Sequence, residues 1–162
     1  MKFLMIFSLI LVSSLLSLLM AQTPPFPSTP NLEMTPGKVC DKPTGHRYAE
    51  QVAYCERDVT YETKEMLIKR YDHELGYRIE SMNRAEFKID HFIPLCVGGS
   101  NDPQNLWPQH KSIYEVTDPV EPLVCQKMLE GKLLQVNAIE LIKRAKTELE
   151  TVPEVLNELK AL

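Results

Sequence analysis

The chain has 162 residues, a length that fits about one domain, and its formal net charge is −4 at pH 7. This acidity counts against a nucleic-acid binder with a broadly basic face, although a divalent cation can neutralise phosphate locally. Six basic residues nevertheless lie close together between positions 64 and 88, and a solvated face is the favoured interpretation for them: Lys64, Lys69, Arg70, Arg78, Arg84 and Lys88.

Residues 1–21 have the pattern of a secretory signal peptide. Lys2 provides the positive start, an apolar run continues to Met20, and Ala21 is a small residue at a plausible cleavage point. An uncleaved membrane anchor is the alternative, since the run approaches the roughly 20 residues that span a bilayer. We expect cleavage, which makes the mature protein secreted or periplasmic, without stable membrane association.

Composition divides the rest of the chain into three parts. Residues 22–38 carry five prolines and almost no hydrophobic periodicity, which predicts an extended tether. Residues 39–150 are the predicted domain, and 151–162 a short C-terminal helix or tail. A domain of this length buries only a modest core, so covalent cross-links would help to stabilise it.

Four cysteines in an exported chain predict two disulfides, and the sequence permits three connectivities. The spacing favours Cys40–Cys55, which closes a local loop, together with Cys96–Cys125, which would connect the central loop to a following helix. A thiolate–zinc structural domain is the competing interpretation, but the chain contains no C-x-x-C pair to support it.

Helices are predicted on both sides of the central segment. One begins near Thr60 and ends at Gly76. A second takes Asp118 as its N-cap, with a proline at the first helical position, and ends at Gly131. An amphipathic pattern over residues 136–149 predicts a third helix.

The segment KIDHFIPLCVGGSNDPQNLWPQH, residues 88–110, carries the pattern on which the function depends. The alternation of Phe87, Ile89 and His91 predicts a short strand, and residues 97–100 predict a loop. A neutral imidazole is a general base near neutral pH, and a carboxylate is a ligand for a hard divalent cation. The Asp-His pair at the end of this strand is therefore a candidate site.

Three blocks of this segment, residues 89–95, 98–100 and 105–109, resemble an HNH endonuclease of the ββα-metal fold, and above all its small exported bacterial members. The resemblance covers roughly residues 88–145. It implies an α+β fold in which a ββα-metal hairpin–helix core carries additional packed helices and is stabilised by disulfides.

The resemblance also implies an exported, metal-dependent endonuclease whose substrate is DNA or RNA. In the family the histidine of the Asp-His pair is the general base and the aspartate commonly binds metal, roles that pass to His91 and Asp90. Asn105 matches the asparagine that braces the loop and so has a structural-catalytic role. His110 is the nearest candidate for the last metal ligand, which the family takes from the following helix. One divalent cation is expected, Mg²⁺ first, with Mn²⁺, Ni²⁺ or Zn²⁺ as alternatives.

The alternative function is a catalytically inactive HNH-like scaffold that acts as a secreted binding module. The acidity of the chain and the prolines at 119 and 122, which shorten the helix after the motif, favour this alternative. The presence of Asp90, His91 and Asn105 together favours the enzyme. We interpret His46 and His73, which lie outside any motif, as surface or structural residues.

Overall fold

A computed structural model describes residues 23–162, so the predicted signal peptide lies outside the described residues. This part of the chain is mixed α/β, with small antiparallel hairpins and packed helices. The elements, in chain order, are β1 (Gly45–Arg47), β2 (Val52–Tyr54), α1 (Tyr61–Leu75), β3 (Phe87–His91), β4 (Leu106–His110), α2 (Lys111–Thr117), α3 (Val120–Leu129), α4 (Gln135–Thr147) and α5 (Val152–Ala161).

The strand predicted from alternating residues is β3, and it pairs with β4 in an antiparallel hairpin. The register sets Asp90 opposite Trp107 and His91 opposite Leu106. At the other end of the hairpin, His110 lies opposite Phe87. Because a strand rises about 3.3 Å per residue, His110 is roughly 13 Å along the hairpin from the level of His91.

Two hydrophobic clusters flank the hairpin. One joins α1 to β3 and β4 through residues such as Leu67, Tyr71 and Trp107. The other joins α3, α4 and α5 to the loop after β3. Phe92 belongs to the first cluster and Ile93 to the second, so the chain passes from one to the other immediately after His91.

The ends of α1 are those predicted from the sequence, whereas the start of α3 differs from the prediction. Thr60 caps α1 by accepting a hydrogen bond from the Thr63 N–H, and Gly76 ends this helix in the left-handed conformation. Asp118 is not an N-cap: it has helical φ and ψ at the end of α2, and its carboxylate binds Lys88 instead. Pro119 occupies the cap position of α3.

Both disulfides favoured by the spacing are present, Cys40–Cys55 and Cys96–Cys125. They span 15 and 29 residues, for which the loss of unfolded-chain entropy corresponds to about 3 to 4 kcal/mol each. Such cross-links suit an oxidising compartment. Within residues 23–162, no helix combines the length and hydrophobicity that crossing a membrane requires.

The N-terminal segment differs from the predicted tether, because residues 23–38 pack on the domain. The Phe26 ring stacks on His110 with centroids 4.0 Å apart. Thr35 is fully buried, and its hydroxyl donates to the Leu106 carbonyl at 3.1 Å. These contacts offset the cost of ordering a proline-rich segment, whose φ angles are already restricted.

The predicted short C-terminal helix is present as α5, but it packs in the core and is not a tail. Val155 and Leu159 of α5 are fully buried in the cluster that contains α3 and α4. A tail cannot remain solvated when its apolar stripe completes a core. The folded unit therefore includes residues 23–38 and 151–162 in addition to residues 39–150.

Candidate functional site

Asp90 lies in a buried ion cluster where β3 meets α3 and α4. The Lys146 ammonium, 1% exposed, donates to Asp90 Oδ2 at 2.6 Å and to Glu121 Oε1 at 2.6 Å. It also donates to the backbone carbonyl of His91 at 2.7 Å. An ammonium group has three N–H donors, and these three oxygens use all of them.

Opposing effects set the pKa values in this cluster. Burial alone would raise the pKa of Asp90, but the Lys146 and Lys88 charges outweigh it and hold that pKa below its usual range. Burial raises the pKa of Glu121 against the opposing Lys146 charge, and the Asp90 charge adds to the rise. Burial would lower the pKa of Lys146, but Asp90 and Glu121 raise it above its usual value. Lys146 is therefore an ammonium, and Asp90 a carboxylate, at neutral pH.

The outer side of the cluster lines an open cavity of about 530 Å³. There the ammonium of Lys88 lies 3.2 Å from Asp90 Oδ1 and 2.6 Å from Asp118 Oδ1. The Lys88 side chain is one-third exposed, unlike that of Lys146. The guanidinium-bearing Arg57 lines the same cavity. The Lys146 ammonium is therefore enclosed within the cluster, and the Lys88 ammonium lies at its solvent-facing side.

Three carboxylates in this cluster could together bind a hard divalent cation. Oxygen atoms of Asp90, Asp118 and Glu121 lie within 4.8 Å of one another. Carboxylate oxygens are the ligands that Mg²⁺ and Mn²⁺ prefer, so this donor set fits the divalent cation that the sequence implies. The sequence interpretation identified Asp90 but missed Asp118 and Glu121 as candidate ligands. The available signal was their D-x-x-E spacing, which places the two side chains about one helical turn apart at the junction of α2 and α3.

His110 does not join this cluster. Its Nδ1 accepts a hydrogen bond from the Ser112 N–H at 3.2 Å and so caps α2. Its ring stacks on Phe26, and its Nε2 is 3.7 Å from a Glu86 oxygen. The predicted pairing of His110 with Asp90 at one cation is therefore not assembled, because the hairpin register directs His110 to the opposite end.

His91 is buried beside the cluster, with 3% of its surface exposed. Its Nε2 lies 3.1 Å from Asn101 Oδ1, and its Nδ1 is buried with no hydrogen-bond partner among the described residues. Burial, with a contribution from the Arg57 charge, lowers the pKa of His91 to about 4. The imidazole is therefore neutral at pH 7, the form that a general base requires.

Asn105 braces the loop between β3 and β4, in the position that the sequence predicted. Its Oδ1 accepts from the Ile93 N–H at 2.9 Å, and its Nδ2 donates to the Ile93 and Ser100 carbonyls, both at 2.9 Å. Gly99 fits beside this amide because it lacks a side chain: a Cβ there would lie 1.8 Å from the Ile93 carbonyl oxygen. The loop that follows the Asp-His pair is therefore held in one conformation.

Comparisons of this chain with protein-family models, with curated proteins and with solved structures find no match. The function is accordingly inferred from the residues and their geometry.

Proposed function

We propose that this protein is an exported, metal-dependent endonuclease that hydrolyses phosphodiester bonds of DNA or RNA. One observation carries the proposal: a neutral, buried imidazole directly follows, at the end of one strand, a carboxylate that belongs to a cluster of three. Hydrolysis of a phosphodiester requires a base for the attacking water and a positive charge near the leaving oxygen. His91 is suited to the first task, and the carboxylate cluster is suited to hold a cation for the second.

The roles divide among few side chains. Asp90, Asp118 and Glu121 would hold one divalent cation, which when bound supplies charge stabilisation to the phosphodiester oxygens. His91 accepts a proton from the attacking water. Arg57 lines the cavity beside the three carboxylates, and its planar guanidinium can bind two phosphate oxygens at once.

A second candidate function is an HNH-like scaffold that binds a partner without catalysis. A specific observation favours it, because both carboxylate oxygens of Asp90 already contact ammonium groups. Two lysine charges at this carboxylate reduce its attraction for a divalent cation. The two functions therefore differ in whether a metal ion displaces the ammonium of Lys88, which is partly exposed, from the carboxylates of Asp90 and Asp118.

The deciding experiment is plasmid nicking by the mature chain, residues 22–162, with both disulfides intact. Reactions contain EDTA, Mg²⁺, Mn²⁺ or Ni²⁺, and a parallel set uses RNA. The test variant is His91→Ala, and the control is His73→Ala, which replaces an exposed histidine on α1. We expect metal-dependent cleavage that falls by about 10²- to 10⁴-fold in His91→Ala, the usual contribution of a general base, and that is unchanged in His73→Ala.

Each other result has a definite meaning. Cleavage that survives in His91→Ala contradicts the assignment of His91 as the base. An absence of cleavage on DNA and RNA by the natural chain, with a folded circular dichroism spectrum, contradicts the nuclease and favours the binding module.

A further inference from the structure

Asn101 connects His91 to a distant part of the chain. Its side-chain Nδ2 donates to the Glu56 backbone carbonyl at 2.7 Å. Its Oδ1 lies 3.1 Å from His91 Nε2. The amide thus spans two groups of different character, a peptide oxygen on one side and a ring nitrogen on the other.

The chemistry of these groups determines where the imidazole proton lies. A backbone carbonyl only accepts hydrogen bonds, so the amide must direct its NH₂ group to Glu56. The amide oxygen then faces His91, and it too only accepts. The Nε2 atom must therefore carry the hydrogen, and in a neutral imidazole the other nitrogen, Nδ1, is left with a free lone pair. This Nδ1 is the buried atom that has no partner among residues 23–162.

We propose that Asn101 is a positioning residue that fixes the Nε2–H tautomer of His91 and leaves Nδ1 as its basic nitrogen. The tautomer follows from the hydrogen bonds alone. Its use in proton transfer rests on the proposed function, because only a reaction gives the Nδ1 lone pair a proton to accept.

Two separate features hold Asn101 in place. The preceding residue, Ser100, has its carbonyl bound by the Asn105 amide at 2.9 Å. On the other side, Glu56 follows Cys55, which is cross-linked to Cys40. The amide of Asn101 is therefore held between a braced loop and a disulfide-anchored segment, and it has little freedom to reverse its orientation.

The test measures the tautomer directly. The chain is labelled with ¹⁵N at histidine, and long-range ¹H–¹⁵N correlation spectra are recorded at pH 7.5 in EDTA, with His91 assigned by its absence in His91→Ala. We expect a pyrrole-type nitrogen shift at Nε2 and a pyridine-type shift at Nδ1. A wild-type spectrum with the hydrogen on Nδ1 overturns the proposal.

Two variants of matched size separate positioning from loop structure. Asn101→Asp keeps an oxygen acceptor toward Nε2 and should retain the Nε2–H pattern, although it loses the donor to Glu56. Asn101→Leu removes the acceptor and should shift both nitrogens toward averaged values. If His91 keeps the Nε2–H tautomer in Asn101→Leu, the proposal is overturned. If Asn101→Asp loses this tautomer to the same extent as Asn101→Leu, the proposal is also overturned, because the role of Asn101 is then purely structural.

Nicking by the same samples in Mg²⁺ separates this inference from the proposed function. We expect Asn101→Leu to lose about 2-fold or more in rate, because averaging between the two tautomers leaves Nδ1 free in only part of the molecules, and Asn101→Asp to lose less. If the natural chain cleaves nothing while its tautomer responds as expected, Asn101 still positions His91 and the proposed function fails. If cleavage occurs but is insensitive to Asn101→Leu while the tautomer shifts, Nδ1 is not the base.

Discussion

The ammonium of Lys146 lies 2.6 Å from Asp90 Oδ2, although their side chains are only 1% and 10% exposed. The two residues are 56 positions apart in the chain, and their contact joins α4 to β3. Ions this deeply buried have lost most of their hydration, so each depends on the other for compensation. The pair is therefore both a structural link and the feature that orients Asp90.

We expect Lys146→Met to lower the free energy of unfolding by about 3 to 5 kcal/mol, since it leaves Asp90 and Glu121 buried without their shared cation. Urea unfolding at pH 7, followed by circular dichroism, measures the change. The control is Lys132→Met, which breaks an exposed pair with Glu130 and should cost no more than about 1 kcal/mol.

A double variant tests whether the loss comes from the uncompensated charge. Adding Asp90→Asn to Lys146→Met removes one of the two stranded carboxylates, so it should recover part of the lost stability. If the double variant is as unstable as the sum of the single variants, the two charges are not energetically coupled.

The burial of His91 predicts a pH dependence of stability. An unfolded histidine titrates near pH 6.5, whereas the pKa of His91 in the folded protein is about 4. Between these values the unfolded state binds more protons, so the free energy of unfolding decreases as the pH falls from about 6.5 to about 4. The part of this decrease between pH 7 and pH 5 is about 2 kcal/mol for one such group.

Urea unfolding in EDTA at pH 7 and pH 5 measures this decrease. The variant His91→Gln should lose most of the difference between the two pH values. His73→Gln, which alters an exposed histidine, should retain it. An equal pH dependence in wild type and His91→Gln would show that other groups cause it.

The tight loop after β3 predicts a steric effect at one glycine. In Gly99→Ala the new methyl group would lie 1.8 Å from the Ile93 carbonyl oxygen and 2.8 Å from the Asn105 amide nitrogen. The loop must shift to accept it, and we expect a loss of about 3 kcal/mol or more in the free energy of unfolding. Gly45→Ala is the matched control, because a Cβ there meets no atom within 4 Å. Similar stability of both variants would contradict the close approach at Gly99.

The position of Lys88 predicts competition with a divalent cation. Its ammonium contacts Asp90 and Asp118, two of the three carboxylates that would hold the metal. We expect Lys88→Met to raise the affinity for Mn²⁺ by about 10-fold or more, because it removes a positive charge within 4 Å of the ligands. Isothermal titration calorimetry measures the affinity, with the exposed Lys160→Met as control. An unchanged or weaker affinity would mean that Lys88 does not occupy the cation position.

Local patterns in the sequence predicted local structure well. The alternation at residues 87–91 gave a strand, and Thr60 and Gly76 were identified as the two ends of α1. The family resemblance implied the bracing role of Asn105, and the contacts of its amide with Ile93 and Ser100 lie within the same hairpin. These features depend on side-chain periodicity, backbone conformation and neighbours less than about 20 residues away, all of which are present in a short stretch of sequence.

The sequence by itself therefore determined the strand at residues 87–91 and the two ends of α1, and it singled out Asp90 and His91 as candidate site residues. Only the tertiary structure decided which residues surround them. Glu121 and Lys146 come from α3 and α4, and no local pattern relates residues 31 and 56 positions away from Asp90. The register of the β3–β4 hairpin likewise places His110 opposite Phe87, at the end of the hairpin that is remote from His91. Burial strengthens the effect of these contacts, because removal from water shifts the pKa of a carboxylate, ammonium or imidazole directly and also makes its interactions with neighbouring charges stronger.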